Sequence, residues 1–486
     1  MAEPLNFKPY TLSPLDHILM PMHAYWFLSY HLQDPRDGAA ILNQGLSSLV
    51  SQWPNLAGNI TKSTTNADKS NILEVHPPSQ AYLGEELPML ITRYHPDKPI
   101  SLISSSPETV FTEDFIPGDP KIPTSYPTFA LRFQANIMKD GIILTVCFHH
   151  QFVDGYGIVV ILQSLSHYCQ FPTPATEAPL MCPPSDAFGR GWIAANSASR
   201  LQNMPDEYGS SGYAHNPKPN YPGELSVNRK YSLDPEKITV LKNACLSLLP
   251  DLVDSIQSSS EAMDPLTTDD IVSALLWFCC MRARLGPSPT RNNTADGSLP
   301  SVSCTRIVES RRLLHPTLLR NHIGNCIALA KADCTAHDLE SAPTDSKAIT
   351  KAHILTLTKL AWKSRTACRS ITREYVQGII NHVAGCSDWS SSVMLPPDVA
   401  ITSLRKMDIY GFDFGSLLGR VVSIEVLENR LEGYCYILPR HPAGSPAMKE
   451  GKSLWEVRIA LKKEAIDRLE HDELFSWVRT CDRARL

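Results

Sequence analysis

A stretch rich in glycine, proline, serine and asparagine, residues 206–223, interrupts the sequence slightly before its middle. This composition disfavours regular helices and strands, so the stretch predicts a linker. The chain has 486 residues, whereas a single hydrophobic core stops growing at about 250–300 residues. We therefore expect two domains, residues 1–205 and residues 224–486, joined by a crossover linker.

The apolar periodicity of both halves indicates mixed sheets with helices. Residues 128–138 alternate in polarity, residues 142–148 form a β-rich apolar run, and the Lys-Asp-Gly sequence between them is typical of a hairpin turn. In the second half, the Thr-Asp-Asp sequence at 268–270 precedes an apolar run at 271–281, which predicts an N-cap and a largely buried helix. The predicted fold class is therefore α/β of the α+β type, with a mixed sheet in each domain.

Charge and composition argue against several classes of protein. The formal net charge of −5 gives no positive field for nucleic acid. No apolar stretch reaches the ~18–20 residues of a membrane helix, and the N-terminus lacks the form of a signal peptide. We expect a cytoplasmic protein with neither a nucleic-acid nor a membrane partner, whose 13 cysteines are free thiols.

The last three residues offer a second localisation. Ala484-Arg485-Leu486 has the small, basic, leucine form of the Ser-Lys-Leu peroxisomal address. The alternative is a charged helix end that stops there by chance. Peroxisomal targeting is therefore a hypothesis beside the cytoplasmic one.

A candidate site lies in the turn between the apolar strand and the helical pattern at 157–165, and it contains His149, His150 and Asp154. Three interpretations are open. The residues are structural, with Asp154 capping the helix. They bind a metal, although adjacent strand residues point to opposite faces and no further ligand cluster lies nearby. Or His150 faces a cleft as a general base, since a neutral imidazole accepts a proton near neutral pH.

A buried Asp154 needs a cationic partner, because an unpaired buried carboxylate is costly. The second half offers Arg311 and Arg312 after a strand-like segment at 301–305. Either could form a bidentate ion pair that joins the two domains; the alternative is that both are solvated. No nucleophile elbow or glycine-rich phosphate loop is present, and the Asp-Phe-Gly sequence at 413–415 lacks the other kinase motifs.

The motifs taken in order resemble the BAHD acyltransferases, particularly the fungal branch that includes the trichothecene acetyltransferases. His149-His150-x-x-x-Asp154-Gly155 lies near one third of the chain and Asp413-Phe414-Gly415 near its end. Four further segments are similar to family motifs: residues 12–16, 53–58, 267–284 and 308–325. A single His-x-x-x-Asp motif is a weak signal, but six in order extend the resemblance over nearly the whole chain.

The resemblance implies two chloramphenicol-acetyltransferase-like domains with a channel between them, which coenzyme A enters from one face and the acceptor from the other. It implies an acyl-CoA-dependent O-acyltransferase of secondary metabolism that transfers the group directly, with acetyl-CoA as the expected donor. The expected partners are acyl-CoA, as a co-substrate, and a small-molecule acceptor. No bound cofactor or metal is expected, and the expected state is a monomer.

Carried over by position, the resemblance implies a role for each motif residue. His150 is the general base, and Thr402 faces the tetrahedral intermediate. Asp154 forms a structural ion pair with Arg311, while Ser403 contacts coenzyme A. The remaining motif residues support the site: His149, Gly155, Asp413 and Gly415.

Two departures from the family pattern bear on function. The tryptophan of the family's Asp-Phe-Gly-Trp-Gly motif is missing, and its last glycine is displaced to Gly419. Leu404 stands where plant members carry a tryptophan near the acceptor, so the acceptor is left open. The alternatives are an N-acyltransferase, a condensation-type enzyme with a carrier-bound donor, and a non-catalytic binding protein of the same fold.

Overall fold

The structure is a computed structural model, and the residues that it describes are 7–65, 68–78, 88–105, 114–118, 124–171, 186–195, 204–210, 226–256, 265–286, 301–315, 321–340, 349–426 and 432–480. The strands are β1 Tyr10–Thr11, β2 His23–His31, β3 Asn59–Lys62, β4 Leu73–His76, β5 Leu90–His95, β6 Thr128–Phe129, β7 Leu131–Met138, β8 Gly141–His149, β9 Tyr208–Gly209, β10 Val227–Leu233, β11 Ser301–Glu309, β12 Ile327–Thr335, β13 Val393–Met394, β14 Val399–Ser403, β15 Ser423–Val426, β16 Tyr434–Ile437, β17 Met448–Lys449, β18 Lys452–Ser453 and β19 Trp455–Leu461. The α-helices are α1 Pro14–His17, α2 Pro35–Gln52, α3 Leu102–Ser105, α4 Gly155–Gln170, α5 Asp186–Ala195, α6 Pro235–Ile256, α7 Thr268–Leu285, α8 Arg311–Leu314, α9 Ala336–Glu340, α10 Lys351–Ser370, α11 Arg373–Gly385, α12 Lys463–His471 and α13 Glu473–Val478.

The first half builds a five-stranded mixed sheet in the order β15-β2-β8-β7-β5. β7 and β8 pair antiparallel with Met138 opposite Gly141, so the predicted hairpin is confirmed. The predicted strand at 128–138 is divided at Ala130. β6, before Ala130, pairs with β3 in a separate four-stranded sheet, whereas β7, after Ala130, belongs to the five-stranded sheet. The division lets one segment join two sheets.

The second half builds a six-stranded mixed sheet in the order β10-β19-β16-β14-β11-β12, in which β14 runs parallel to both of its neighbours. The buried helix α7 packs behind it. Its N-cap is Thr267, one residue earlier than predicted, because the Thr267 hydroxyl accepts from the Asp270 N–H while the Asp270 carboxylate accepts from the Thr267 N–H. Mixed sheets with helices in both halves confirm the predicted fold class.

The two halves are connected through the first sheet as well as through the linker. β15, from the second half, pairs antiparallel with β2, so that Ser423 lies opposite Ser29 and Val426 opposite Trp26. Edge strands expose unpaired backbone groups, and β15 satisfies those of β2. The C-terminal half therefore completes the N-terminal sheet.

The predicted linker is described only at its start. Contrary to the expectation of irregular structure, Tyr208 and Gly209 form β9, which pairs with β13. The reason is burial of the aromatic side chain: Tyr208 is 4% exposed, and its hydroxyl accepts from the Leu329 N–H at 2.9 Å. Residues 211–223 and the C-terminal Ala484-Arg485-Leu486 lie outside the described residues and stay predictions.

Two further findings concern the described part of the chain. None of its helices is both long and apolar enough to span a bilayer. Its cysteines carry free thiols, nearly all of them buried.

Candidate active site

His150 lies directly after β8, where the chain leaves the first sheet and turns towards α4. Its N–H donates to the carbonyl of Met22 at 2.8 Å. Its side chain lines a narrow space, the inter-sheet cavity. The residues around this cavity are Leu19, Met20, Met22, Trp26, Phe148, His150, Asp154, Gly155, Ile307, Ile327, Met394, Thr402, Leu404, Tyr434 and Tyr436. Because they include members of β2 and β8 as well as β11, β14 and β16, the cavity lies between the two sheets.

His149 points to the opposite face, as alternation along a strand requires. Its Nε2 lies 2.7 Å from the Thr124 hydroxyl oxygen, and its ring meets the edge of His23 with centroids 5.3 Å apart. Burial, reinforced by His23 and His150, holds the pKa of His149 well below its usual range. His149 is therefore a neutral, packed side chain on the far side of the sheet.

The carboxylate of Asp154 accepts four hydrogen bonds. One oxygen accepts from the N–H of Gly157 at 2.8 Å, which caps α4, and the other accepts from the N–H of Cys326 at 3.0 Å. Arg311 donates to both oxygens, Nη1 to Oδ2 and Nη2 to Oδ1, each at 2.9 Å. The bidentate geometry and the two backbone donors hold an ionised carboxylate in place.

Arg311 carries further contacts that fix its position. It donates to the carbonyls of His322 at 3.0 Å and Gly324 at 2.6 Å. Burial alone would lower the pKa of Arg311, but the attraction of Asp154 outweighs it, and the pKa is raised. Arg312, the other candidate partner, is exposed. Asp154 and Arg311 thus form a buried ion pair between the two halves.

The adjacent residues Thr402 and Ser403 at the end of β14 face in different directions. Thr402 lines the inter-sheet cavity. The Ser403 hydroxyl donates to Asp269 at 2.7 Å, at the start of α7. Thr402 therefore shares a cavity with His150, while the side chain of Ser403 is engaged by α7.

A second cavity, the basic cleft, opens beside the residues that follow Thr402 and has about 1550 Å³ of empty space. It is lined by Pro235, Thr239, Thr268, Arg405, Lys406, Met407, Asp408, Arg440, His441, Pro442, Ala443, Met448, Gly451, Lys452, Ser453 and Trp455. Arg405 is anchored by a bond to the Leu454 carbonyl at 2.8 Å and lies 4.4 Å from the Trp455 ring centroid. Burial and the neighbouring Arg440 lower the pKa of Arg405 to about 10. The cations of this cleft come from separate segments, so no local sequence pattern indicates it; the adjacent pair Arg405-Lys406 is the one local signal.

A third space, the outer cavity, has about 1350 Å³ of empty space. One of its lining residues, Gln151, directly follows His150 in the sequence. Its lining residues are His17, Pro21, Thr61, Lys62, Asn71, Leu73, Thr124, Ser125, Tyr126, Pro127, Gln151, Ser390 and Val393. Three of these are sequence neighbours of residues in the inter-sheet cavity: Pro21, Gln151 and Val393. Met20 and Met22, which line the inter-sheet cavity, pack in one cluster with Val393, which lines the outer cavity.

The Asp-Phe-Gly loop lies apart from all three cavities. Phe414 is buried in a hydrophobic core against the five-stranded sheet, where it meets the Tyr30 ring edge-on at 5.2 Å. Gly415 adopts a φ of +95°, which glycine tolerates and which the turn requires, and its N–H donates to the Asp413 side chain at 2.9 Å. The N–H of Gly419 closes the loop on the Gly415 carbonyl at 2.7 Å. Asp413 and Gly415 thus shape a turn that anchors a phenylalanine.

Among the residues that the structure describes, no group of three His, Cys, Asp or Glu side chains is placed to hold a metal ion. The arrangement consists instead of a histidine on an inter-sheet cavity, a buried ion pair that fixes its turn, and a basic cleft close by. A histidine held at a cavity can act as an acid or a base, and cations that line a cleft can bind an anionic substrate.

The chain belongs to the Transferase family, the BAHD acyltransferases, whose profile matches residues 100–475. Residues 25–169 also match the trichothecene 3-O-acetyltransferase-like N-terminal domain. The protein is therefore an acyltransferase.

Several curated fungal relatives are similar over almost their whole length. The communesin N16 acyltransferase cnsK of Penicillium expansum is 28% identical over 98% of this chain and 99% of the relative. The O-acetyltransferase pyr7 of Aspergillus fumigatus is 27% identical over 98% and 93%. The fumigaclavine B O-acetyltransferase easN of the same species is 26% identical over 99% of both chains.

Solved structures share the fold. TRI101 of F. sporotrichioides, crystallised with coenzyme A and T-2, superposes with a TM-score of 0.73 at 19% identity, covering 98% of this chain and 99% of that one. Vinorine synthase superposes with a TM-score of 0.58 at 16% identity, covering 99% and 96%. The two-domain BAHD fold predicted from the motifs is confirmed.

Proposed function

We propose that this acyltransferase moves an acyl group, expected to be acetyl, from acyl-coenzyme A to a hydroxyl of a fungal secondary metabolite, with His150 as the general base. The observation that carries the proposal is the inter-sheet cavity, which His150 enters from one sheet and Thr402 from the other. The names of two relatives, pyr7 and easN, support O-acetyl transfer.

The chemistry follows from these two side chains. His150 takes the proton of the acceptor hydroxyl, and the oxygen attacks the thioester carbonyl. Thr402 donates to the oxyanion of the tetrahedral intermediate. The intermediate collapses with loss of the coenzyme A thiolate, which takes the proton back from the imidazolium. An ester and free coenzyme A are the products, and no acyl-enzyme forms.

We place coenzyme A in the basic cleft. Its phosphates are anionic, and the cleft presents Arg405, Lys406, Arg440 and Lys452. The cleft is also close in sequence to the inter-sheet cavity, since Arg405 follows Thr402 by only three residues. The coenzyme A bound to TRI101, a protein of the same fold, supports a coenzyme A thioester as donor.

We place the acceptor on the opposite side, in the outer cavity, where hydroxyl and amide groups such as Thr124, Ser125 and Gln151 alternate with apolar residues. This lining suits a mainly apolar molecule with a few polar groups. We propose a monomer as the working unit.

The test is turnover of acetyl-CoA and longer acyl-CoAs against a panel of hydroxylated fungal metabolites, measured by free coenzyme A and by the mass of the product. Replacing His150 with Ala should lower kcat by about 10²–10⁴-fold, because the base is lost. His31→Ala, at an exposed histidine, is the matched control and should keep its rate. An active His150→Ala enzyme would refute the mechanism.

A second experiment addresses the donor. Arg440→Gln removes one exposed cation of the basic cleft and should raise KM for acyl-CoA several-fold with little change in kcat, since the contact is made equally in ground and transition states. Arg36→Gln, an exposed arginine on α2, is the control. An unchanged KM for acyl-CoA in Arg440→Gln would place the donor elsewhere.

N-acylation is the second candidate, favoured by one observation: the relative cnsK is named an N16 acyltransferase. The same base serves an amine as well as a hydroxyl. Amines in the acceptor panel decide between the two, because an amide product withstands mild base that cleaves an ester.

A further inference from the structure

We propose that Asp16 is a positioning residue for the base: acting through Asn325, it holds the backbone of His150. The inference rests on the proposed function. Asp16 belongs to the short helix α1 and is fully buried. Two of its donors come from Ser13, whose N–H and hydroxyl each lie 2.7 Å from Oδ2. The others come from distant parts of the chain.

Asn325 connects Asp16 to the base. Its N–H and its side-chain Nδ2 donate to Asp16 Oδ1 at 2.9 and 3.0 Å. The same Nδ2 donates to the carbonyl oxygen of His150 at 2.9 Å. Asn325 is fully buried, so these bonds are made away from water, where an unmade partner is most costly. One side chain therefore joins a carboxylate of the first helix to the peptide group of the base.

A second branch reaches the other end of the same turn. Arg190, on α5, forms a fully buried ion pair with Asp16. Its Nη2 donates to the carbonyl of Phe152, two residues after His150, at 2.5 Å. The Asp16 carboxylate thus organises donors to two carbonyls of the turn.

The ring of His150 depends on this backbone. In many acid–base sites a carboxylate orients the imidazole directly, but Asp154 is engaged by Arg311, Gly157 and Cys326. Nδ1 of His150 is buried and has no hydrogen-bond partner among the described residues. The aim of the ring is therefore set by its peptide group and by packing, and a displacement of about 1 Å can cost about 10²-fold in rate.

Asp16 and Asp154 act on neighbouring residues of the second half. Asp16 accepts from the N–H of Asn325, and Asp154 accepts from the N–H of Cys326. Two carboxylates of the first half therefore clamp one short segment of the second half. The Asp154 side of the clamp holds the start of α4, and the Asp16 side holds the base.

The main test is Asn325→Ala. It should lower kcat at least tenfold and leave KM for acyl-CoA within twofold, since the donor contacts remain. Asn136→Ala is the matched control: Asn136 is also fully buried and donates to the Phe115 carbonyl and the Thr145 hydroxyl, and none of its hydrogen bonds among the described residues is to His150. Its kcat should stay within twofold. Unchanged kcat in Asn325→Ala, or equal losses in both variants, would overturn the inference.

A double-mutant cycle tests the connection itself. If Asp16 acts through Asn325, the kcat of the double variant Asp16→Asn/Asn325→Ala should be at most threefold lower than that of the slower of the two single variants. Losses that multiply would contradict the coupling. If Asp16→Asn does not fold, because Arg190 is left unpaired, the comparison of Asn325→Ala with Asn136→Ala decides alone.

Crystal structures separate this inference from the proposed function. An inactive wild-type protein would overturn the proposed function, but the position of the His150 ring can still be compared between wild type and Asn325→Ala. A displaced ring supports the positioning role of Asn325, and an unmoved ring overturns it.

Discussion

At the scale of single residues, Asp154 shows how a motif carboxylate near a histidine can serve the structure. Both oxygens accept from Arg311, and one backbone N–H reaches each of them. The N–H of Gly157 belongs to the turn into α4, and the other donors, from Arg311 and Cys326, belong to the second half of the chain. Asp154 therefore connects the turn to the second half. The arrangement differs from that of a carboxylate that orients a catalytic imidazole, so we expect the loss of Asp154 to act first on stability.

Asp154→Asn should lower the free energy of unfolding by about 3–5 kcal/mol, because it leaves the buried guanidinium of Arg311 without its anion. Glu309→Gln is the matched control. Glu309 also accepts from Arg311, at 3.2 Å, but its side chain is 36% exposed, so we expect a change of about 0–1 kcal/mol. Urea unfolding measures both. A stable Asp154→Asn variant with a tenfold lower rate would show that this carboxylate takes part in the chemistry.

At the scale of elements, the start of α4 touches the segment that follows α8 without room for a side chain. A Cβ atom added at Gly157 would lie 2.1 Å from the carbonyl oxygen of Ile323. The same stretch of backbone carries the donors of Asn325 and Cys326 to the two carboxylates. The close approach of the Gly157 and Ile323 backbones therefore places the N–H groups of Asn325 and Cys326 opposite the two carboxylates.

Gly157→Ala should destabilise the protein by at least about 1–3 kcal/mol, since backbone must move to relieve the overlap. Gly191→Ala, in α5, is the matched control, because nothing lies within 4 Å of its Cβ position; alanine there should be neutral or stabilising by up to about 1 kcal/mol. Thermal melting compares the two. Equal melting temperatures would mean that the approach of α4 to Ile323 is not tight in solution.

At the scale of the whole molecule, a buried ionic cluster joins the two sheets. Glu425, on β15 of the first sheet, accepts from Lys230 at 2.9 Å and from Arg458 at 2.6 Å, on two strands of the second. Lys230 also lies 3.1 Å from Glu456, which is paired with His441 at 2.6 Å. The cluster and the shared strand resist separation of the halves that enclose the site.

This cluster predicts an acid limit of stability. Burial would raise the pKa of Glu456, but the His441 hydrogen bond and the charge of Lys230 outweigh it and lower that pKa to about 2 from the ordinary 4.5. A depressed carboxylate contributes stability that is present above the unfolded pKa and is lost as the pH falls towards the folded one. The wild type should therefore lose about 3 kcal/mol from this group between about pH 5 and pH 2.

The measurement is the free energy of unfolding against pH. Glu456→Gln should be less stable than wild type at neutral pH and show a smaller slope in the acid window. Glu236→Gln removes a partly exposed carboxylate that pairs with Lys452 and serves as the control. If Glu456→Gln keeps the slope of the wild type, the cluster does not govern acid stability.

The sequence alone predicted the local framework of the site and its kind of chemistry. Alternation and apolar runs predicted the hairpin of β7 and β8, and the motifs in order indicated the acyltransferase family. These signals are short-range: they depend on the period of a strand, the composition of a turn or the spacing within one motif. The role of His150 as the base stays a prediction.

Only the tertiary structure decided which groups meet. It carried β15 into the first sheet and assembled the basic cleft from separate segments, whereas Arg311 as the partner of Asp154 was already implied by the family resemblance. Asp16 and Asn325 both stood in recognised motifs, yet their contact joins residues 309 positions apart. Such contacts depend on strand register and on the packing of two sheets, which no local pattern encodes. The sequence by itself therefore determined the elements and the family, and tertiary packing decided the partners, because partner choice is a property of surfaces that exist only once the sheets have come together.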